Sequence, residues 1–132
     1  MAGAFSNYLE TKLVEYTLRG QVFTQPTTVW VSLHSASPGE TGGSEITGTS
    51  YARVAVTCGT AAWSTHTPPL QNNTTITFPQ AGGSWGTVTD FGIYDASTNG
   101  NLLFYGTLTA SKTIATNDTA SFAAAALQIT LD

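Results

Sequence analysis

The chain has 132 residues and a formal net charge of −4, with 41% hydrophobic and only 9% charged residues, which fits one domain over residues 1–132 with enough apolar material to fold without staples. Its four cations, Lys12, Arg19, Arg53 and Lys112, are too few for the basic stripe that phosphate neutralisation needs, so nucleic acid is excluded as a partner. No run approaches the ~20 apolar residues of a bilayer span, and Glu10, Lys12 and Glu15 interrupt any signal-peptide core, so no membrane partner is expected and the chain is expected to fold in a cytoplasm.

The first predicted element is a helix over about 6–19. Phe5, Leu9, Leu13 and Tyr16 recur at the spacing that lines one face of a 3.6-residue period. Asn7 followed by Glu10 reads as a capping box, and Gly20 after Arg19 suits the helix end. A helix this short is marginal alone, so Leu9, Leu13 and Tyr16 must dock on something. The chain's own sheet is the simpler expectation, a neighbouring subunit the other.

After Pro26 the period changes to two. Residues 28–33 alternate as a half-buried strand, with Val29, Val31 and Leu33 on one face and Trp30 on the other. Trp30 is therefore the least core-like tryptophan and is expected in a subunit interface rather than on a sugar. Residues 35–50, rich in Gly, Ser and Thr and carrying Pro38, Glu40 and Glu45, show neither period and read as a long exposed loop, a candidate contact element. Further strands are expected over 51–58, 61–64, 74–78, 86–95, 102–110 and 120–131, the last running through Ala123–Ala126. Asn99-Gly100 is a hairpin signal that should make the two flanking strands antiparallel neighbours, and Gly82 to Gly86 is expected as another hairpin turn. Twenty-four threonines, β-branched and small at the surface, complete the case for an all-β fold. The expected architecture is an antiparallel β-sandwich, jelly-roll-like, with one short N-terminal α-helix.

Groups able to do chemistry are sparse. His34 and His66 are the only histidines, no strained nucleophile turn accompanies them, and the lone Cys58 reads as a core position. No Cys or His spacing suggests a metal, and no cofactor is expected. Asn72, Asn73 and Asn117 head Asn-x-Thr triplets but read as turn residues. So little surface charge gives weak repulsion between copies, which points to a homo-oligomer.

One longer pattern is more specific. The string Val29-Trp30-Val31-Ser32-Leu33-His34-Ser35-Ala36-Ser37-Pro38-Gly39-Glu40-Thr41-Gly42, then Glu45, Gly48 and Ser50-Tyr51-Ala52-Arg53, resembles small virion proteins of tailed bacteriophages. So does Gly83 to Asp95 (GSWGTVTDFGIYD), followed by Gly100-Asn101-Leu102-Leu103 and Tyr105-Gly106. Members are often labelled tail-fibre proteins, and some resemble capsid cement (decoration) proteins. The resemblance implies a non-enzymatic structural protein of the virion with no catalytic residue to transfer. For a cement protein it further implies the outer capsid surface, the major capsid protein as partner and a homotrimer. Cement is the leading expectation because no heptad, Gly-x-y or β-helical trunk is visible; a tail-fibre or adhesin subunit touching the host surface is the alternative. The expected contact residues are Leu9, Leu13, Tyr16, Trp30, Pro38, Glu40 and Glu45.

Overall fold

The computed structural model describes residues 3–131. In chain order they form β1 (Gly3–Phe5), α1 (Asn7–Leu18), β2 (Thr28–His34), a 3-10 turn (Gly39–Thr41), β3 (Val54–Thr57), β4 (Leu70–Gln71), β5 (Ile76–Thr77), β6 (Gly86–Tyr94), β7 (Leu102–Ile114), β8 (Ser121–Phe122) and β9 (Gln128–Ile129). Five strands make one antiparallel sheet in the order β1-β7-β6-β2-β3, and two short antiparallel ladders, β4 with β9 and β5 with β8, complete the β structure. The fold is mostly β with one short helix.

Alternation decides which face of the sheet is dry. Val31 pairs with Ile93 and Leu33 with Phe91, so the apolar residues of β2 and β6 share one face. They pack with Ile76, Phe78, Leu127 and Ile129 from the two ladders and their flanks, forming one core between the large sheet and the short ladders. Each such side chain contributes about 1.5–3 kcal/mol by leaving water. Across the same ladder Trp30 pairs with Tyr94, Ser32 with Gly92 and His34 with Asp90, so the opposite face is polar and aromatic.

The hairpin between β6 and β7 forms where Asn99-Gly100 stands, both residues at positive φ (52° and 73°). Asp95 closes the turn by accepting from the Asn101 backbone N–H at 2.7 Å and from its side-chain amide at 2.9 Å.

The cap of helix α1 lies one residue earlier than the expected Asn7. Ser6 is the N-cap, its hydroxyl accepting from the Leu9 N–H at 3.2 Å and donating to the Leu102 carbonyl, while Asn7 is already helical. The end is as expected: Gly20 takes φ +66° and lets the Gln21 N–H reach back to the Glu15 carbonyl at 3.0 Å.

Two expected strands are not there as expected. Residues 61–64 form a turn in which only Trp63 bridges to Asn72. Residues 120–131 are not one strand: β8 and β9 flank a turn with Ala125 at φ 65°. Asn72 holds that turn. Its side-chain amide donates to the carbonyls of Thr74 (2.8 Å) and Ala123 (3.0 Å), and its side-chain oxygen accepts from the Leu127 N–H at 2.9 Å. Asn72 is thus a buried stitch and not an ordinary turn residue. Residues 82–86 do not make a hairpin either, since β5 pairs with β8 and β6 with β2 and β7; they carry the chain between layers. Trp85 is buried there, and its indole N–H donates to the Thr49 carbonyl at 2.9 Å.

Candidate interaction surfaces

The loop after β2 was expected to be exposed along its length, and it is only partly so. Pro38 and Ile46 are buried. The loop's ends are drawn together where the Ser35 N–H donates to the Ser44 carbonyl (2.9 Å) and the Ile46 N–H to the Leu33 carbonyl (3.0 Å). Its 3-10 turn packs against α1 and β7. What remains outward is Ser35 to Ser37, Glu40, Thr41, Gly43, Ser44, Thr47, Thr49 and Ser50.

A polar junction beneath this loop explains the motif string. The Arg53 guanidinium donates to both Glu45 carboxylate oxygens at 2.8 Å and to the backbone carbonyls of Ala96 and Asn99, also at 2.8 Å. Its plane lies 3.6 Å from the centre of the Tyr94 ring. The Tyr51 hydroxyl donates to Glu45 at 2.9 Å and accepts from the Leu33 N–H at 3.0 Å. A fork with this many partners suits arginine and not lysine, because only the planar guanidinium supplies parallel donors together with a face that stacks. The loop and β3's approach, eight residues apart at Glu45 and Arg53, are thereby tied to the β6–β7 hairpin more than forty residues on at one side chain.

His34 anchors the other end. One ring nitrogen, Nδ1, lies 2.6 Å from the Gly43 carbonyl, which can only accept, so Nδ1 carries the proton; Nε2 accepts from the Ser32 hydroxyl at 2.8 Å. The ring stacks near Tyr94 with centroids 6.2 Å apart. Burial lowers the His34 pKa, so the imidazole is neutral. Burial alone would raise Glu45, but the hydrogen bonds from Arg53 and Tyr51 outweigh it and hold the carboxyl below its ordinary range. Burial likewise pushes up the Tyr51 and Tyr94 hydroxyls. Gly92 is required opposite: a Cβ there would stand 2.7 Å from the Ser32 hydroxyl and 2.9 Å from His34 Nε2. Among the described residues no buried side-chain nitrogen or oxygen lacks a hydrogen-bond partner, those of this junction included. The junction holds a loop rather than presenting chemistry, and among the described residues no three His, Cys, Asp or Glu side chains form a metal-holding group.

The helix behaves in the opposite way. Leu9 is buried, but the rest of its expected stripe is not: Leu13 is 42% exposed and Tyr16 58%. Only the first turn is therefore seated on the chain's own core, a correction to the simpler docking expectation. Val14, Leu18 and Val22 are also open, Leu18 at 81% and Val22 at 88%. The charges among them are paired within the helix, Lys12 to Glu15 at 3.7 Å and Arg19 to Glu15 at 3.3 Å.

Beside the helix's first turn an almost wholly apolar cavity of about 450 Å³ opens between β2, β7 and the β4–β9 ladder, with Phe23, Cys58, Trp63, Leu70 and Leu131 on its wall. Cys58, expected as a core position, is partly buried at its edge.

The candidate contact residues thus divide. Leu13, Tyr16 and Glu40 are exposed, Trp30 and Glu45 are half-buried, and Leu9 and Pro38 are buried. Sequence reasoning passed over Arg53 and Tyr51 as partners of Glu45, and Tyr94 as the ring on which Arg53 stacks, although the charge of opposite sign eight residues on was a signal. It also passed over Leu18 and Val22, which lie off the stripe; Val14 and Leu18, four residues apart, mark a second apolar row.

A family model described as "Podophage GP4 fiber I protein gp80" matches residues 4–130. No curated protein matches the chain.

Proposed function

The chain belongs to the podophage GP4 fiber I protein gp80 family, and from that premise we propose that it is a non-enzymatic subunit of a phage fibre, mounted on the virion as a rigid β body. The observation that carries this reading is the contrast between the junction and the helix. The groups that could have done chemistry, His34, Glu45 and Tyr51, are consumed in pinning a loop, while apolar side chains that a lone domain would bury stand in solvent. A subunit whose exposed apolar residues are covered by neighbours accounts for both, and for a surface with so little charge.

The same exposed residues would serve a cement protein seated as a homotrimer on the major capsid protein at the outer shell, the reading that sparse charge and a compact body favour. Fibre and shell differ in stoichiometry. Quantitative mass spectrometry of purified virions, with the major capsid protein as internal standard, is expected to give a few tens of copies or fewer for a fibre; hundreds per particle would overturn the fibre reading in favour of cement. Gold-labelled antibody against this chain is expected at the tail of intact particles, not over the shell.

A further inference from the structure

The chain carries an exposed apolar projection and an open apolar cavity on neighbouring parts of its surface. Leu18 and Val22, at the end of α1 and just beyond it, are 81% and 88% exposed. The cavity of about 450 Å³ beside Trp63 is lined almost wholly by apolar side chains. We propose that copies of this chain associate with one another, the Leu18 and Val22 side chains of one copy seating in the Trp63 cavity of the next.

Area favours a second copy as the occupant. Leu13, Val14, Tyr16, Leu18 and Val22 together expose on the order of 500 Å², and a stable interface needs about 800 Å² from each partner. The helix alone falls short, so a stable contact must take in further surface, and the apolar cavity mouth is the surface that adjoins it through Phe23. A small apolar ligand would fill the cavity and leave the projection in water.

Charge points the same way. Over residues 7–19 two carboxylates, Glu10 and Glu15, balance two cations, Lys12 and Arg19, so the helix meets a copy of itself without net repulsion. No Asp, Glu, Lys or Arg lines the cavity, whose polar side chains are Gln25 and His66, so no carboxylate, ammonium or guanidinium is stripped of water when it is filled. Phe23, next in the chain to Val22, forms part of the cavity wall. Projection and recess are therefore close together, and copies can seat each other in a closed, symmetric arrangement rather than an open chain.

The test is sedimentation of the full chain at about 50 μM, a concentration at which a micromolar contact is populated. Wild type is expected to sediment as an oligomer, and Leu18→Lys with Val22→Lys as a monomer, with at least about a tenfold weaker association and, at a dilution where wild type is also dissociated, an unchanged melting temperature, since cations are favourable at a helix C-terminus. A monomeric wild type, or a double variant that keeps the wild-type mass, overturns the proposal. Should the double variant melt early, Leu18→Cys gives an independent reading, because Cys58 is the only native cysteine and sits on the cavity wall. Mild oxidation is expected to yield a covalent dimer whose digest contains the peptide linking residue 18 of one copy to Cys58 of another. Finding no dimer, a link joining residues 18 of both copies, or a link within one chain sinks the idea. Copy number in virions is a separate measurement, so either reading can fail while the other stands.

Discussion

The loop junction and the helix are both built from residues that a small domain struggles to place, and they resolve the difficulty in opposite directions. At the junction charged and hydroxyl groups are brought inside and saturated: Arg53, 7% exposed at its side chain, makes four hydrogen bonds and a stacked contact. At the helix apolar groups are left outside with only Leu9 seated. Internal stability therefore resides in the junction and the sheet, while the helix beyond its first turn contributes little to the isolated chain. Substitutions should separate the two cleanly.

The largest effect is expected at the junction. Arg53→Ala leaves the Glu45 carboxylate half-buried without its fork and two carbonyls without donors, and should cost about 3–5 kcal/mol. Urea unfolding measures it; a loss under about 1 kcal/mol would mean that water replaces the guanidinium and that the junction is not where stability lies.

Acid should act on the same region with a smaller effect. The His34 pKa is lowered in the folded state, so its contribution is full above the unfolded value of 6.5 and is lost as pH falls through the folded value. Glu45 is also lowered, so its contribution is full above 4.5 and declines below that as the carboxyl takes a proton. Both signs agree: the urea midpoint should hold above about pH 7, fall by about pH 5.5 and fall further by about pH 4. A midpoint that rises on acidification would show that neither group is held as described.

The smallest effect on folding is expected at the helix. Leu13→Asp, which would be severe if the stripe were buried, should change stability by no more than about 0.5 kcal/mol, because Leu13 is 42% exposed. Its consequence should appear in assembly, as weaker incorporation into particles measured by mass spectrometry. If the melting temperature falls by ten degrees or more, the helix is an internal element after all and the contrast collapses.

What the amino-acid order revealed follows the same division. Strands with long alternation were legible nearly to the residue: 28–33 against Thr28–His34, and 86–95 against Gly86–Tyr94. The Asn99-Gly100 hairpin was legible because its demand is local, two residues at positive φ. The C-terminal stretch was misread because the turn at Ala123 to Leu127 is held by Asn72, some fifty residues away, and no local period carries that information. The helix was found by period, but period tells which residues share a face and not what lies against it, so Leu13 and Tyr16 were grouped with Leu9. The junction was visible as a string resembling phage virion proteins. Its internal logic, Glu45 meeting Arg53 under Tyr94, needed the fold, since three separate segments converge there.

Finally, residues 3–6 close on a strand made much later in the chain. β1 pairs with residues 104–106, and Ser6 bonds to Leu102 and Leu103, a separation of 96 residues in the Leu102 case. At ordinary synthesis rates 96 residues correspond to roughly 5–20 s between the making of Ser6 and of Leu102. The first turn of the helix cannot find its seat until β7 exists, so an incomplete chain has no docked helix to offer. Translation thus acts as a timer, withholding an ordered apolar projection until the large sheet that carries it has its last strand.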